Sequence, residues 1–187
     1  MGQLTADVTI SLDGYVTGAH PSPTDEAFAR TGAVIVDQDV FRTWTAESSP
    51  LIDISLTPPA ASGGTGTGDA LHQPVFVLFD TPRRPFVTPS GTIFHFVPNG
   101  LVEAVRQARS AAGFRDMVLA AGTGTVQQAV LDDLLDELRL HIAPEVLGSG
   151  TRLFSRLGEE YVVWDASLLS GDSGTVHLTV RLRDEAA

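Results

Sequence analysis

The sequence predicts an α/β domain with a mainly parallel central sheet, covered by helices and closed by an antiparallel edge at the C-terminal end. Two short apolar runs, 33–36 and 74–79, lack polar alternation, which is typical of strands buried on both faces. Two segments with helical spacing of apolar residues, 100–112 and 124–134, follow further along the chain. Because strands that alternate with helices favour a parallel sheet, we expect an α/β fold.

The first strand is predicted over residues 4–10, where apolar residues alternate with small or polar ones. The turn residues Ser11-Leu12-Asp13-Gly14 end it. A short helix is expected after Thr24, a residue suited to helix capping, and it should end near Gly32. The buried strand at 33–36 follows directly.

Residues 45–73 have the composition of a loop rather than of a helix or strand. They contain Pro58-Pro59 and then a glycine-rich run over 62–68, which costs much entropy to order. We expect a mobile surface loop or a lid. The segment is too short to separate two domains, and 187 residues suit one domain, so the whole chain is predicted to be one domain.

The second half continues the alternation of strands and helices. Leu101, Val105 and Ala108 lie on one helical face, and Gly113 closes that helix. The tail is predicted to be an antiparallel hairpin formed by 161–169 and 175–182. The strands expected in this half are 74–79, 92–97, 115–120 and 137–143.

Composition excludes several classes of partner. The formal net charge is −11 and no run of Lys or Arg occurs, so nucleic acids and anionic membranes are poor partners. There are no cysteines, which excludes disulfides and thiolate metal sites, and the histidines have no metal-ligand spacing. No apolar run approaches the length of a bilayer and the start lacks a signal-peptide pattern, so a cytoplasmic protein is expected.

Two parts of the chain resemble a known family. Residues 11–16, after the N-terminal strand, resemble the opening "SLDG" signature of the riboflavin-biosynthesis reductases, which include the C-terminal domain of the bacterial bifunctional deaminase-reductase. The segments 121–128, 136–144 and 147–154 resemble that family's cofactor turn, "DEL" strand and closing segment. The resemblance implies a three-layer dihydrofolate-reductase-like domain, a homodimer, and NADPH as the hydride donor to a pteridine-like or pyrimidine-like ring.

The resemblance also places the cofactor at the turn that follows the strand containing Leu119. Gly122 and Gly124 would let backbone N–H groups approach a diphosphate at a helix N-terminus, and Thr123 and Thr125 would add hydroxyl donors. From the residues alone, an ordinary strand-to-helix connection is favoured over a phosphate site at this turn. Both interpretations stay open at this point.

Two departures from the family pattern argue against tight NADPH binding. A glycine pair is typical before the cofactor turn, whereas this chain has Ala120 and Ala121. After the second strand the family typically has Gly-Arg-x-Thr, in which the arginine holds the 2′-phosphate. Here residues 37–40 are Asp-Gln-Asp-Val, and carboxylates repel phosphate. We therefore expect NADPH to bind weakly or not at all.

Some further residues are weaker candidates. Thr81, Arg83 and Arg84 follow a strand at the same sheet end and could clamp a phosphate, although a solvated turn pair of arginines is the alternative. Asp13 could be a proton donor, although an Asp-Gly turn needs no function. His141, on a strand among leucines, is expected to be a hydrogen-bonded or dimer-facing histidine.

Three functions are compatible with the sequence. The resemblance favours an NADPH- or NADH-dependent reductase of a small heterocycle. The acidic residues Asp37 and Asp39 favour a family member that has lost NADPH binding and acts as a small-molecule-binding protein or a non-redox enzyme. The third possibility is a structural dimer without a ligand, because a fold alone does not define a function.

Overall fold

A computed structural model describes residues 2–17, 31–47, 73–88, 91–155, 164–170 and 174–182. Within these residues the chain forms nine strands and three helices. The strands are β1 Leu4–Ile10, β2 Ala33–Val36, β3 Val75–Leu78, β4 Phe86–Val87, β5 Ile93–Val97, β6 Met117–Ala120, β7 Glu137–Ile142, β8 Trp164–Ser170 and β9 Val176–Leu182. The helices are α1 Gln38–Glu47, α2 Gly100–Ala112 and α3 Thr123–Leu131.

The strands form one sheet in the order β4-β5-β3-β2-β6-β1-β7-β9-β8. All pairs from β5 to β7 are parallel, which brings the carboxyl ends of these strands to one edge of the sheet. The C-terminal pairs β7·β9 and β8·β9 are antiparallel, so the predicted antiparallel edge is confirmed. A second antiparallel edge, formed by the short strand β4 on β5, was not predicted.

Alternate residues of the central strands face two separate cores. In β2, Ala33 and Ile35 pack with α2 and α3, whereas Val34 and Val36 pack with α1. The molecule thus has three layers, with α2 and α3 on one face of the sheet and α1 on the other. The predicted three-layer α/β architecture is confirmed.

Helix α1 was not predicted, yet its sequence explains it. The Asp37 carboxylate accepts a hydrogen bond from the Val40 N–H (2.9 Å), which is the ordinary geometry of a helix N-cap. Val40, Phe41 and Trp44 share one face and are at most 4% exposed. Residues 45–47, predicted as the start of a loop, are helical instead. The rest of that predicted loop, 48–72, lies outside the described residues, as does the helix predicted after Thr24.

The other two helices end where local backbone geometry ends them. Gly113 closes α2 as predicted, with a φ of 65° and its N–H donating to the Arg109 carbonyl. Helix α3 ends at Leu131, three residues before the predicted boundary, because Asp133 adopts a left-handed φ of 51°. Among the described residues, no helix is long and apolar enough to span a bilayer.

Candidate functional site

The carboxyl ends of the parallel strands β2, β3 and β5 border a cleft of about 490 Å³. Its lining comes from the residues that follow these strands and from the first turns of α1, α2 and α3. Open α/β sheets bind their ligands at such strand ends. The volume also falls in the range of about 300–1,000 Å³ that is typical of small-molecule sites.

The lining of the cleft is acidic. It includes Asp37 after β2, Asp39 in the first turn of α1 and Asp80 after β3. Arg42 is the one cation among the described residues of the lining, and its Nη1 lies 3.9 Å from Asp39 Oδ1. Three carboxylates and one guanidinium leave an excess of negative charge.

The rest of the cleft combines apolar and polar groups. Leu78 and Phe79 are partly exposed and supply apolar surface, whereas Val97 and Leu101 are almost fully buried. The polar side chains of Thr125 and Gln128 come from α3, and Gln128 is exposed. A lining that combines apolar side chains with hydrogen-bonding groups suits a flat, partly polar ring.

The Asp37 carboxylate connects two helix N-termini. Its Oδ1 accepts the Val40 N–H of α1, and its Oδ2 accepts the Gly122 N–H at 2.6 Å. The Thr125 hydroxyl donates to the same Oδ2 at 3.3 Å. Gly122 directly precedes α3, so the carboxylate lies where the N–H groups of that helix begin.

The turn from β6 into α3 is open at Gly124. A methyl group added at Gly124 would meet no atom within 4 Å. Ala120 is buried in the core, and Ala121 is partly buried. The turn lies at the carboxyl end of β6, and Asp37 bonds to two of its residues, Gly122 and Thr125. Thr125 belongs to the described lining of the cleft, whereas Gly122 and Gly124 do not.

Comparison with known proteins identifies the family. The sequence model of the RibD C-terminal domain matches residues 72–176, more than half of the chain. The chain belongs to this family. No curated protein matches the sequence.

Solved structures share the fold of this RibD C-terminal domain protein. A Shewanella sp. PV-4 protein provisionally assigned to riboflavin biosynthesis is 20% identical, with a TM-score of 0.67 over 97% of this chain and 99% of the other. The riboflavin biosynthesis reductase Rib7 of Saccharomyces cerevisiae is 17% identical, with a TM-score of 0.59 over 97% and 90% of the two chains. Enterococcus faecalis dihydrofolate reductase is 15% identical, with a TM-score of 0.51 over 98% of each chain. The dihydrofolate-reductase-like fold is thereby confirmed.

The arginines proposed as a phosphate clamp in this RibD C-terminal domain lie beside the cleft rather than in its lining. The Arg83 guanidinium stacks on the Phe79 ring at 4.2 Å and lies 6.0 Å from the Phe96 ring. Thr81 and Arg84 are exposed. A clamp by these three residues stays a prediction.

Asp13 holds two loops together. Its carboxylate accepts hydrogen bonds from the Ser11 hydroxyl (2.6 Å) and from the N–H groups of Leu147 (3.2 Å) and Gly148 (2.8 Å). The Ser11 hydroxyl has the largest effect and, together with the Gly148 and Leu147 N–H groups, lowers the pKa of Asp13 from 3.8 to about 2. Burial opposes this shift in pKa, with an effect second to that of Ser11. The group is ionised at neutral pH and has no proton to donate, which favours a structural role. The catalytic role stays a prediction.

Leu119 differs from the other predicted cofactor residues. It is 1% exposed and packs in the core beneath α2 and α3, so its side chain does not line the cleft. Strand alternation explains this, because every second residue of β6 faces that core.

The sequence patterns did not indicate several residues of the cleft, among them Asp80, Leu101 and Gln128. Asp80 could have been found, since it follows β3 at the same sheet end as Asp37. Leu101 was recognised only as a core residue of α2, and it is 2% exposed. For Gln128, helical spacing from Gly124 and Thr125 was the available signal.

Proposed function

We propose that this protein acts on a small heterocyclic molecule of the pteridine or pyrimidine type, as a reductase of the riboflavin-biosynthesis kind. The observation that carries the proposal is the family match over residues 72–176, which includes β3, β5 and the first turns of α2 and α3. These elements supply much of the cleft. A neighbouring structure, yeast Rib7, is itself named as a riboflavin biosynthesis reductase.

The cleft chemistry suits such a ring. Leu78 and Phe79 offer apolar surface for its faces. Amino and ring N–H groups of a pterin or a diaminopyrimidine are hydrogen-bond donors, and the carboxylates Asp39 and Asp80 are acceptors. The protein's own contribution would be to bind and orient the ring, since a nicotinamide cofactor supplies the hydride in reductases of this kind.

The residues at the start of α3 do not fit NADPH in the position that the family resemblance implies. The Gly122 N–H and the Thr125 hydroxyl already donate to Asp37, and two more carboxylates line the same cleft. This misfit favours a second candidate function. In it, the chain keeps the small-molecule cleft of the family and serves as a binding protein or a non-redox enzyme.

Titration with NADPH and NADH, followed by nicotinamide fluorescence, separates the two candidates. A second titration uses a pterin and 2,4-diaminopyrimidine in the presence and absence of the dinucleotides. Binding of a dinucleotide together with ring-dependent oxidation of the nicotinamide supports the reductase. Ring binding without either dinucleotide supports the second candidate, and failure of every ring probe to bind contradicts both.

Assembly belongs to the same proposal. The family resemblance implies a homodimer, and sedimentation velocity would show a particle of twice the 19.8 kDa chain mass. A particle of one chain mass at all concentrations would contradict the dimer.

A further inference from the structure

One carboxylate bonds to the start of two helices in this molecule. Asp37 Oδ1 serves α1 through the Val40 N–H, and Asp37 Oδ2 serves α3 through the Gly122 N–H. The N–H groups at a helix N-terminus, together with the positive end of the helix dipole, are a general site for anions. At α3, that anion is part of the protein.

We infer that Asp37 is a built-in substitute for a ligand phosphate, and that the cleft takes a ligand without a phosphate at the start of α3. The inference rests on the proposed small-molecule function of the cleft. A tethered carboxylate 2.6 Å from the Gly122 nitrogen competes at a high effective concentration with any phosphate from solution.

The surroundings strengthen this exclusion. Within the described residues, the Thr123 and Gly124 N–H groups donate to no other residue, so they are the groups left for an anion. A phosphate that approached them would lie near Asp37. Asp39 and Asp80 line the same cleft, and the nearby Arg42 is already close to Asp39. Like charges oppose a phosphate there.

The same arrangement suits a different class of ligand. Neutral or cationic rings that carry amino, N–H or hydroxyl donors would pair with Asp39 and Asp80 without this repulsion. The inferred ligand is therefore an amino heterocycle or a nucleoside-like molecule that places no phosphate at the start of α3.

The test measures pyrophosphate and NADPH binding by calorimetry on the natural protein and on two variants. Asp37→Asn keeps a carbonyl oxygen for the Val40 N–H, and asparagine remains a good helix cap. The variant also removes the negative charge that lies at the Gly122 N–H. Asp80→Asn is the matched control, because it removes one carboxylate charge from the same cleft and, within the described residues, Asp80 neither bonds to α3 nor pairs with Arg42. We expect a gain in pyrophosphate affinity of about tenfold or more in Asp37→Asn and little change in Asp80→Asn.

Two results would overturn the inference. One is pyrophosphate binding by the natural protein as tight as in Asp37→Asn. The other is an equal gain in both variants, which would show that net charge matters and occupancy of the Gly122 N–H does not. If Asp37→Asn fails to fold, Asp37→Ser replaces it, since a serine hydroxyl can cap α1 without placing a charge at α3.

Ring binding distinguishes this failure from failure of the proposed function. Titration of the same three proteins with 2,4-diaminopyrimidine should give binding in the natural protein. If the diaminopyrimidine binds but pyrophosphate affinity does not depend on Asp37, the inference is wrong and the proposed function stands. If pyrophosphate affinity depends on Asp37 and no ring binds, the proposed function fails and the role of Asp37 at α3 remains.

Discussion

At the scale of single residues, two aspartates next to strand ends bond to distant backbone. Asp37 reaches Gly122, 85 positions along the chain, and Asp13 reaches Gly148, 135 positions away. Because each aspartate follows a predicted strand, the sequence indicated that both would lie at the carboxyl end of the sheet. It did not predict that backbone N–H groups would occupy their carboxylates, because those partners depend on the tertiary fold.

The lowered pKa of Asp13 predicts an acid-dependent loss of stability. The folded pKa of about 2 lies below the ordinary 3.8, so ionised Asp13 stabilises the fold above about pH 4. That contribution disappears as the pH falls toward 2. Between about pH 5 and about pH 2, a range that brackets this transition, we expect the thermal midpoint of the natural protein to fall by more than that of Asp13→Asn. Calorimetric scans over this range measure the difference.

Ser11→Ala is the companion to this measurement. It removes the largest cause of the shift and leaves the carboxylate in place. The pKa of Asp13, followed by carboxyl-carbon NMR, should then rise toward its ordinary value. An unchanged pKa in Ser11→Ala would show that the Ser11 hydroxyl is not the cause.

Glu137 gives a second test at the residue scale. It is 3% exposed, and its carboxylate accepts from Arg139 Nε (2.7 Å) and Arg181 Nε (2.8 Å). Glu137→Ala should lower the free energy of unfolding by about 2 kcal/mol, because both charge-assisted bonds disappear. Arg181→Met should cost less, since Arg139 still pairs with the carboxylate. Equal losses in urea unfolding would contradict this ranking.

At the scale of elements, two glycines with opposite surroundings test the packing of the helices. A methyl group at Gly32, just before β2, would lie 2.7 Å from the Ala112 Cβ and 2.8 Å from the Arg115 Cβ. Gly32→Ala should therefore cost roughly 1–3 kcal/mol through overpacking at the end of α2. Gly124→Ala meets no atom within 4 Å and replaces a helical glycine, so it should be neutral or stabilise by up to about 1 kcal/mol. Urea unfolding of both variants measures the contrast, and a loss at Gly124 as large as at Gly32 would refute it.

Hydrophobic periodicity predicted β2, β3, β6 and α2 within a residue or two, because each is an apolar run or stripe that the fold buries. It did not predict α1. The apolar face of that helix is only three residues, Val40, Phe41 and Trp44. Its capping residue, Asp37, was interpreted as a carboxylate that repels phosphate rather than as a helix cap. The short edge strand β4 has two residues and depends on its pairing with β5 rather than on a pattern.

The candidate site was predicted in part for a similar reason. Strand ends and the glycine turn placed Asp37, Gly122 and Thr125 at one edge of the sheet, which the topology bears out. The contact between Asp37 and Gly122 depends on β2 and β6 being neighbours in the sheet. A single sequence contains no signal for that pairing, so the contact of Asp37 with the start of α3 could not be derived from it.

At the scale of the whole molecule, the two cores share the same strands. Each of β2 and β6 contributes alternate residues to both, such as Leu119 to one core and Val118 to the other. Loss of either core would expose one face of these strands and remove the packing that holds their register. The described part of the chain should therefore unfold as one unit, as a single domain does.

One variant in each core tests whether the two cores unfold together. Leu138, which is 1% exposed, packs with α2 and α3, whereas Phe41, which is 3% exposed, belongs to the core with α1. Truncation to alanine should cost about 2–5 kcal/mol at Leu138 and about 3–5 kcal/mol at Phe41. In a Trp164→Phe background, fluorescence reports on Trp44 in the α1 core, and far-UV circular dichroism reports on the helices and the sheet. Because the strands are shared, both probes should give the same urea midpoint in each variant, shifted together from that of the background protein. If Phe41→Ala moved the fluorescence transition and left the circular dichroism transition in place, the α1 core would unfold by itself, and the single-domain proposal would be wrong.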